Sequence, residues 1–124
     1  MAKRKVKKAA KRRSSRRKSR GVKITKLPKE ALTLIVILRA KEGQQLLLEA
    51  ELRALISPSR REEGCWQYDL HHAIDQPGMF LLHEVWESRE HHTEHTKTPH
   101  FLRWNARKDA LLASRESVFW QQLA

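Results

Sequence analysis

From Ala31 to Arg39 the chain reads Ala-Leu-Thr-Leu-Ile-Val-Ile-Leu-Arg, with apolar side chains at both parities. That pattern predicts a strand inside a sheet covered on both faces. Ala40 to Gly43 turns the chain into a segment of helical period, from about Gln44 to Ile56. Leu48, Leu52 and Leu55 form its apolar stripe, and Glu49, Glu51 and Arg53 lie off it. Pro58, flanked by Ser57 and Ser59, is expected to end this helix. A second strand is predicted from Gly64 through Ala73, where alternation puts Trp66, Tyr68, Leu70 and His72 on one face. Asp75-Gln76-Pro77-Gly78 has the residues of a turn, so the third strand, Met79 to Trp86, should pair antiparallel with the second. On that strand Phe80, Leu82, Glu84 and Trp86 share one parity.

A His-rich run follows. Ser88 is a candidate N-cap with Glu90 in the first turn behind it, and Thr98 can cap a second helical piece whose first position is Pro99. The second helix is therefore expected in two pieces, continuing to about Ala113, with a last strand from Ser117 to Leu123. Strand, helix, strand, strand, helix, strand is the α+β, ferredoxin-like β-α-β-β-α-β order, a four-stranded antiparallel sheet with its helices on one face. Two helices cannot cover the other face. A homodimer packing sheet against sheet is the expected solution, with Val118, Phe119 and Trp120 of the last strand reaching the partner.

Charge divides the chain. Residues 1–26 carry 14 of the 26 Lys and Arg and no acid, which leaves 12 basic against 14 acidic side chains in the rest. The expected organisation is a disordered basic tail over 1–26, a linker over 27–30 and one folded domain over 31–124. The tail has the chemistry of an arm for nucleic acid or another polyanion, since Lys and Arg release counterions from phosphates. No apolar run is long enough for a membrane span, and the one cysteine, Cys65, excludes an intramolecular disulfide. The expected location is the cytoplasm.

Five of the seven histidines lie between Phe80 and Phe101. His91 and His95, four apart, have the spacing of a two-His metal pair that Glu87 or Glu94 would complete. His91 and His92 are adjacent and point apart, however, so most of the run reads as solvated helix surface and no metal is assigned. His95 is the candidate proton carrier, because imidazole exchanges a proton near neutral pH without a large shift. Glu84, among apolar neighbours, is expected either to pair with a cation such as Arg103 or to hold a raised pKa.

Glu84-Val85-Trp86-Glu87-Ser88, then His95, then Thr98-Pro99-His100-Phe101, with Glu63-Gly64-Cys65 and Tyr68 upstream, resembles the antibiotic biosynthesis monooxygenase family, particularly its quinol-monooxygenase-like members. The resemblance spans about residues 31 to 123. It implies a dimeric α+β barrel and oxygenation of an electron-rich aromatic without metal or flavin. Haem-degrading members carry an Asn, a Trp and a His where this chain has Val36, His95 and Asn105, so no haem is expected. The leading expectation is a cofactor-independent monooxygenase for a quinol-like or polycyclic phenol. His95 is its general base, Tyr68 orients the substrate, Trp86 and Leu82 are pocket walls with leucines of the first helix, and Glu84 stands beside them. The alternative is a non-catalytic dimeric barrel whose arm binds a polyanion.

Overall fold

The apolar run after the linker forms β1 (Leu32–Ala40). In the computed structural model, which describes residues 27–124, β1 is an interior strand with antiparallel neighbours on both sides. They are β3 (Met79–Trp86) and β4 (Leu112–Trp120), and β2 (Cys65–His72) completes the order β2-β3-β1-β4. The helices are α1 (Gln45–Arg60), α2 (Arg89–His95) and α3 (Pro99–Leu111). This is the ferredoxin-like arrangement expected from the sequence, with the second helix in two pieces. The basic tail read over residues 1–26 lies outside the described residues. Among those described, no helix is long and apolar enough to cross a membrane.

Register fixes which side chains meet. One row across the sheet is Tyr68, Glu84, Leu34 and Phe119, and the next is Leu70, Leu82, Val36 and Ser117. A third row brings Phe80, Leu38 and Arg115 together. These rows face the helices. Leu48, Leu52 and Leu55 of α1 and Trp104 of α3 close over them, so the apolar parities of β1 and β3 and the α1 stripe bury one another. On the opposite face Ile35, Ile37 and Leu81 are only half-buried, and Val118 and Trp120 are exposed.

Three local expectations fail for physical reasons. Pro58 does not end α1, which runs on to Arg60. A proline deprives only the carbonyl one turn earlier of its donor, and that residue, Ala54, is exposed to water. The extra turn buries Ser59 and lets Arg60 donate to the Tyr68 carbonyl at 2.9 Å and to Asp69 at 2.7 Å, tying the helix end to β2. Second, Trp66 does not share the face of Tyr68. The register shifts between Cys65 and Gln67, so Trp66 takes up the irregularity at the surface while Tyr68 is buried. Third, α3 stops at Leu111 and β4 starts at once, five residues before the expected Ser117. No breaker marks that junction. The open edge of β1 needs ladder partners, and β4 supplies them from Ser114 to Trp120 opposite Arg39 to Thr33.

Candidate functional site

The break between α2 and α3 is built by two caps. Ser88 Oγ accepts from the His91 N–H at 3.2 Å, and Thr98 Oγ1 accepts from the Phe101 N–H at 3.3 Å. The Thr98 hydroxyl also donates to the His95 carbonyl at 2.7 Å, closing the end of one helix with the cap of the next. The result turns His95 inward from the last position of α2 and His100 inward from the first turn of α3. Both meet Glu62, from the loop between α1 and β2.

Glu62 Oε2 accepts from His95 Nδ1 at 2.7 Å and from His100 Nε2 at 2.6 Å. Burial pushes the Glu62 carboxyl up to about 7, against the opposing pull of His100. His95 is fully buried, and burial pushes it down to about 4 while the Glu84 charge opposes the shift, so the near-neutral proton exchange expected from the sequence does not hold for the buried imidazole. When Glu62 is ionised it accepts the Nδ1–H, and His95 is then a neutral imidazole whose Nε2 is an acceptor. That Nε2 is buried and has no partner among the described residues. Buried polar atoms are almost always paired, so an orphaned acceptor on a cavity wall marks a place for a ligand proton.

The cavity has a volume of about 140 Å³ and lies between the helix-facing side of the sheet and α2 and α3. Tyr68, Leu82, Glu84, His95 and Phe101 line its interior, and exposed Arg115 and Phe119 of β4 stand at its rim with His92. Trp86 packs behind His95 with ring centroids 4.7 Å apart, and it does not itself line the cavity. Its indole donates to Glu84 Oε1 at 2.9 Å. Burial raises the Glu84 carboxyl to about 6, with the Trp86 hydrogen bond opposing. Tyr68, 5.5 Å from His95 by ring centroids, is raised well above the usual phenol range by burial and then by the Glu84 charge.

His95, Tyr68, Trp86 and Glu84 are thus brought together, with Trp86 as a backing for His95 instead of a wall. Leu55 is the α1 leucine on the cavity surface. Arg103 does not pair with Glu84. It joins Arg107 on Glu51, at 3.4 and 2.8 Å, and Glu84 keeps the raised pKa that was the other expectation. His91 does not join His95 either. Its ring bonds Ser88 Oγ at 2.7 Å and lies where a side chain on Gly64 would be, which together with φ of 82° makes glycine necessary there. The imidazoles that do converge are His95 and His100. Their nitrogens and the Glu62 oxygen lie within 4.8 Å of one another, the donor set a divalent ion would meet here, and hydrogen bonds already join them.

Glu62, His92 and Arg115 carry no signal in the sequence. The motif reading stopped one residue short, at Glu63. Only the His100 of Thr98-Pro99-His100-Phe101 pointed towards this cluster.

Comparison with known proteins agrees with this fold. The family model described as antibiotic biosynthesis monooxygenase matches residues 31–107. The Mycobacterium tuberculosis protein named "Putative monooxygenase Rv0793" is 42% identical over 71 residues, 57% of this chain and 69% of that protein. The Bacillus subtilis protein named "Putative monooxygenase YcnE" is 28% identical over 93 residues, 75% and 96% of the two chains. Among solved structures, PA3566 from Pseudomonas aeruginosa superposes with a TM-score of 0.75 at 40% identity, covering 77% of this chain and 96% of that one. A cavity between sheet and helices in a ferredoxin-like domain, with a family match running from β1 into α3, leads to one conclusion: this chain belongs to the antibiotic biosynthesis monooxygenase family.

Proposed function

We propose that this protein is a cofactor-independent monooxygenase for a single-ring, quinol-like phenol, with His95 as general base. The observation that carries the reading is the buried, unpartnered Nε2 of His95 on the wall of the cavity, held as an acceptor by the Nδ1–H bond to Glu62. A cavity of about 140 Å³ matches the roughly 150 Å³ that takes one benzene ring, so one ring is favoured over the polycyclic phenols that the family resemblance also allowed.

The chemistry asks the chain for a proton acceptor and a dry surround. His95 Nε2 takes the phenolic proton, and the imidazolium that forms is stabilised through Nδ1 by the Glu62 carboxylate. The phenolate gives one electron to O₂, and the resulting superoxide recombines with the ring radical at carbon. Loss of water from that peroxide balances the reaction: hydroquinone and O₂ become hydroxybenzoquinone and water. Apolar walls from Leu34, Val36 and Leu82 keep solvent from the radical pair, and the role of orienting a substrate oxygen falls to Tyr68, which lines the same cavity. Burial lifts the Cys65 thiol well above its ordinary range, so the cysteine is held protonated and takes no part. Family membership favours this reading over a non-catalytic barrel with a polyanion-binding arm.

Oxygen-electrode measurements on the purified protein with hydroquinone test the assignment. Oxygen uptake above the autoxidation rate, with hydroxybenzoquinone as product, is expected. Uptake no faster than without protein sinks it. The uncovered sheet face, with Ile35, Ile37 and Leu81 half-buried and Trp120 exposed, supports a homodimer packed sheet to sheet, and light scattering showing a monomer at micromolar concentration would reject that.

A further inference from the structure

The inner end of the cavity is electrically closed. Its rim is not. Arg89 opens α2 and sets its guanidinium 4.1 Å from the centre of the Phe119 ring. Arg115, two rows along β4 on the same parity, lines the cavity opposite Leu38. Between them stands His92, 5.1 Å from Phe119 by ring centroids and under the influence of both arginine charges. Neither guanidinium has a carboxylate within ion-pair distance among the described residues, whereas Arg53, Arg60, Arg103 and Arg107 do; Arg39 and Arg61 lack one too, but each bonds a neutral side chain, Gln76 and Ser57. Burial, followed by the charges of His95, Arg89 and Arg115, pushes His92 down to about 4, so at neutral pH it adds a neutral donor or acceptor to the rim and no charge.

Resting on the reading of this cavity as the substrate site, we infer that its ligand is an acidic phenol, a single ring bearing a carboxylate that the Arg89 and Arg115 guanidiniums receive at the rim while the ring lies against Phe119 and its hydroxyl reaches His95. The inner end admits no further anion. Glu84 lines it and Glu62 stands behind His95, and a carboxylate beside them would be repelled and left without donors. The ligand therefore has one orientation, carboxylate outward and phenol inward. Guanidinium suits the outward end, because its planar fork matches a carboxylate and binds it by charge-assisted hydrogen bonds.

Equilibrium binding to the full chain, followed anaerobically by calorimetry so that turnover does not intervene, tests this with two probes: 2,5-dihydroxybenzoate and hydroquinone. The dihydroxybenzoate is expected to bind about tenfold tighter at low ionic strength, an advantage that shrinks as salt is added. In the double variant Arg89→Gln/Arg115→Gln the ratio of the two affinities should fall to near one, and Arg115→Lys should restore part of it. The basic tail is present in both proteins and cancels in the comparison. Equal affinity for the probes in the unaltered protein, no binding of the dihydroxybenzoate, or an advantage that survives in the double variant overturns the inference. The two readings fail separately. Discrimination without oxygen uptake in air removes the monooxygenase and keeps the acid site; uptake with hydroquinone but no discrimination does the reverse.

Discussion

The two ends of one cavity treat charge in opposite ways. At the inner end every carboxylate has its donors before any ligand arrives: Glu62 has two imidazoles and Glu84 has an indole. At the rim Arg115, and next to it Arg89 over the Phe119 ring, stand without a carboxylate among the described residues. Depth explains the contrast. An unpaired charge inside costs several kcal/mol and must be matched within the chain, whereas water tolerates one at the surface. Two buried side-chain atoms among the described residues lack a partner, Ser59 Oγ and His95 Nε2, and both are neutral; only His95 is on the cavity wall, where its nitrogen is available to a substrate.

The largest effect should come from removing that group. His95→Ala is expected to lower the rate of quinol-dependent oxygen uptake by about 10²-fold or more, the usual contribution of a positioned base. An unchanged rate would move the base elsewhere. Glu62→Gln comes next, with a loss of about tenfold at pH 8 as the imidazolium loses its carboxylate. Its signature is the pH profile. In the unaltered protein, protonation of Glu62 as pH falls through about 7 lets its O–H donate to His95 Nδ1 and moves the imidazole proton onto Nε2. Activity should therefore rise with pH through about 7 and lose that limb in the variant. A limb that persists would show that Glu62 does not set the tautomer.

Glu84→Gln separates the second carboxylate from catalysis by acting on stability. The folded protein raises this carboxyl from 4.5 to about 6, so its stabilising contribution is full below 4.5 and is lost as pH rises through about 6. The amide retains an oxygen for the Trp86 indole and never ionises. Denaturant melts at pH 8 should show the variant more stable by about 2 kcal/mol, with the advantage gone at pH 4. A less stable variant at pH 8 would mean that the ionised carboxylate is better paired than burial indicates. The smallest effect is Tyr68→Phe, which keeps the ring in the core and removes the hydroxyl. A KM increase of roughly two- to fivefold for the quinol is expected in steady-state kinetics, and no change would leave Tyr68 as packing alone.

Much of the fold was legible because the relevant signals are local. The alternation of Phe80, Leu82, Glu84 and Trp86 put all four on the buried face, and Ser88, Thr98 and Pro99 divided the second helix where the structure divides it. Where a local signal met a tertiary demand, the demand prevailed. Pro58 sits inside a helix because Arg60 has a carbonyl and a carboxylate to reach on β2, and β4 begins at Leu112 because β1 has an edge to fill. The site divides along the same line. His95, Tyr68, Trp86 and Glu84 announced themselves by type and spacing, but their roles did not.

By itself the sequence determined the order of elements, which residues of β3 share a face, the caps that break the second helix and the separation of a polycationic stretch from a near-neutral body. All of these follow from periodicity, backbone chemistry and composition within a few residues. Only the tertiary structure decided that Glu62 bonds His95, that Trp86 packs behind the imidazole and that a cavity of about 140 Å³ opens beside them. Glu62 is 33 residues from His95 and 38 from His100, and no periodicity reaches across that separation. Cavity volume is likewise set by how helices and sheet pack together, a property that no segment of the chain carries alone.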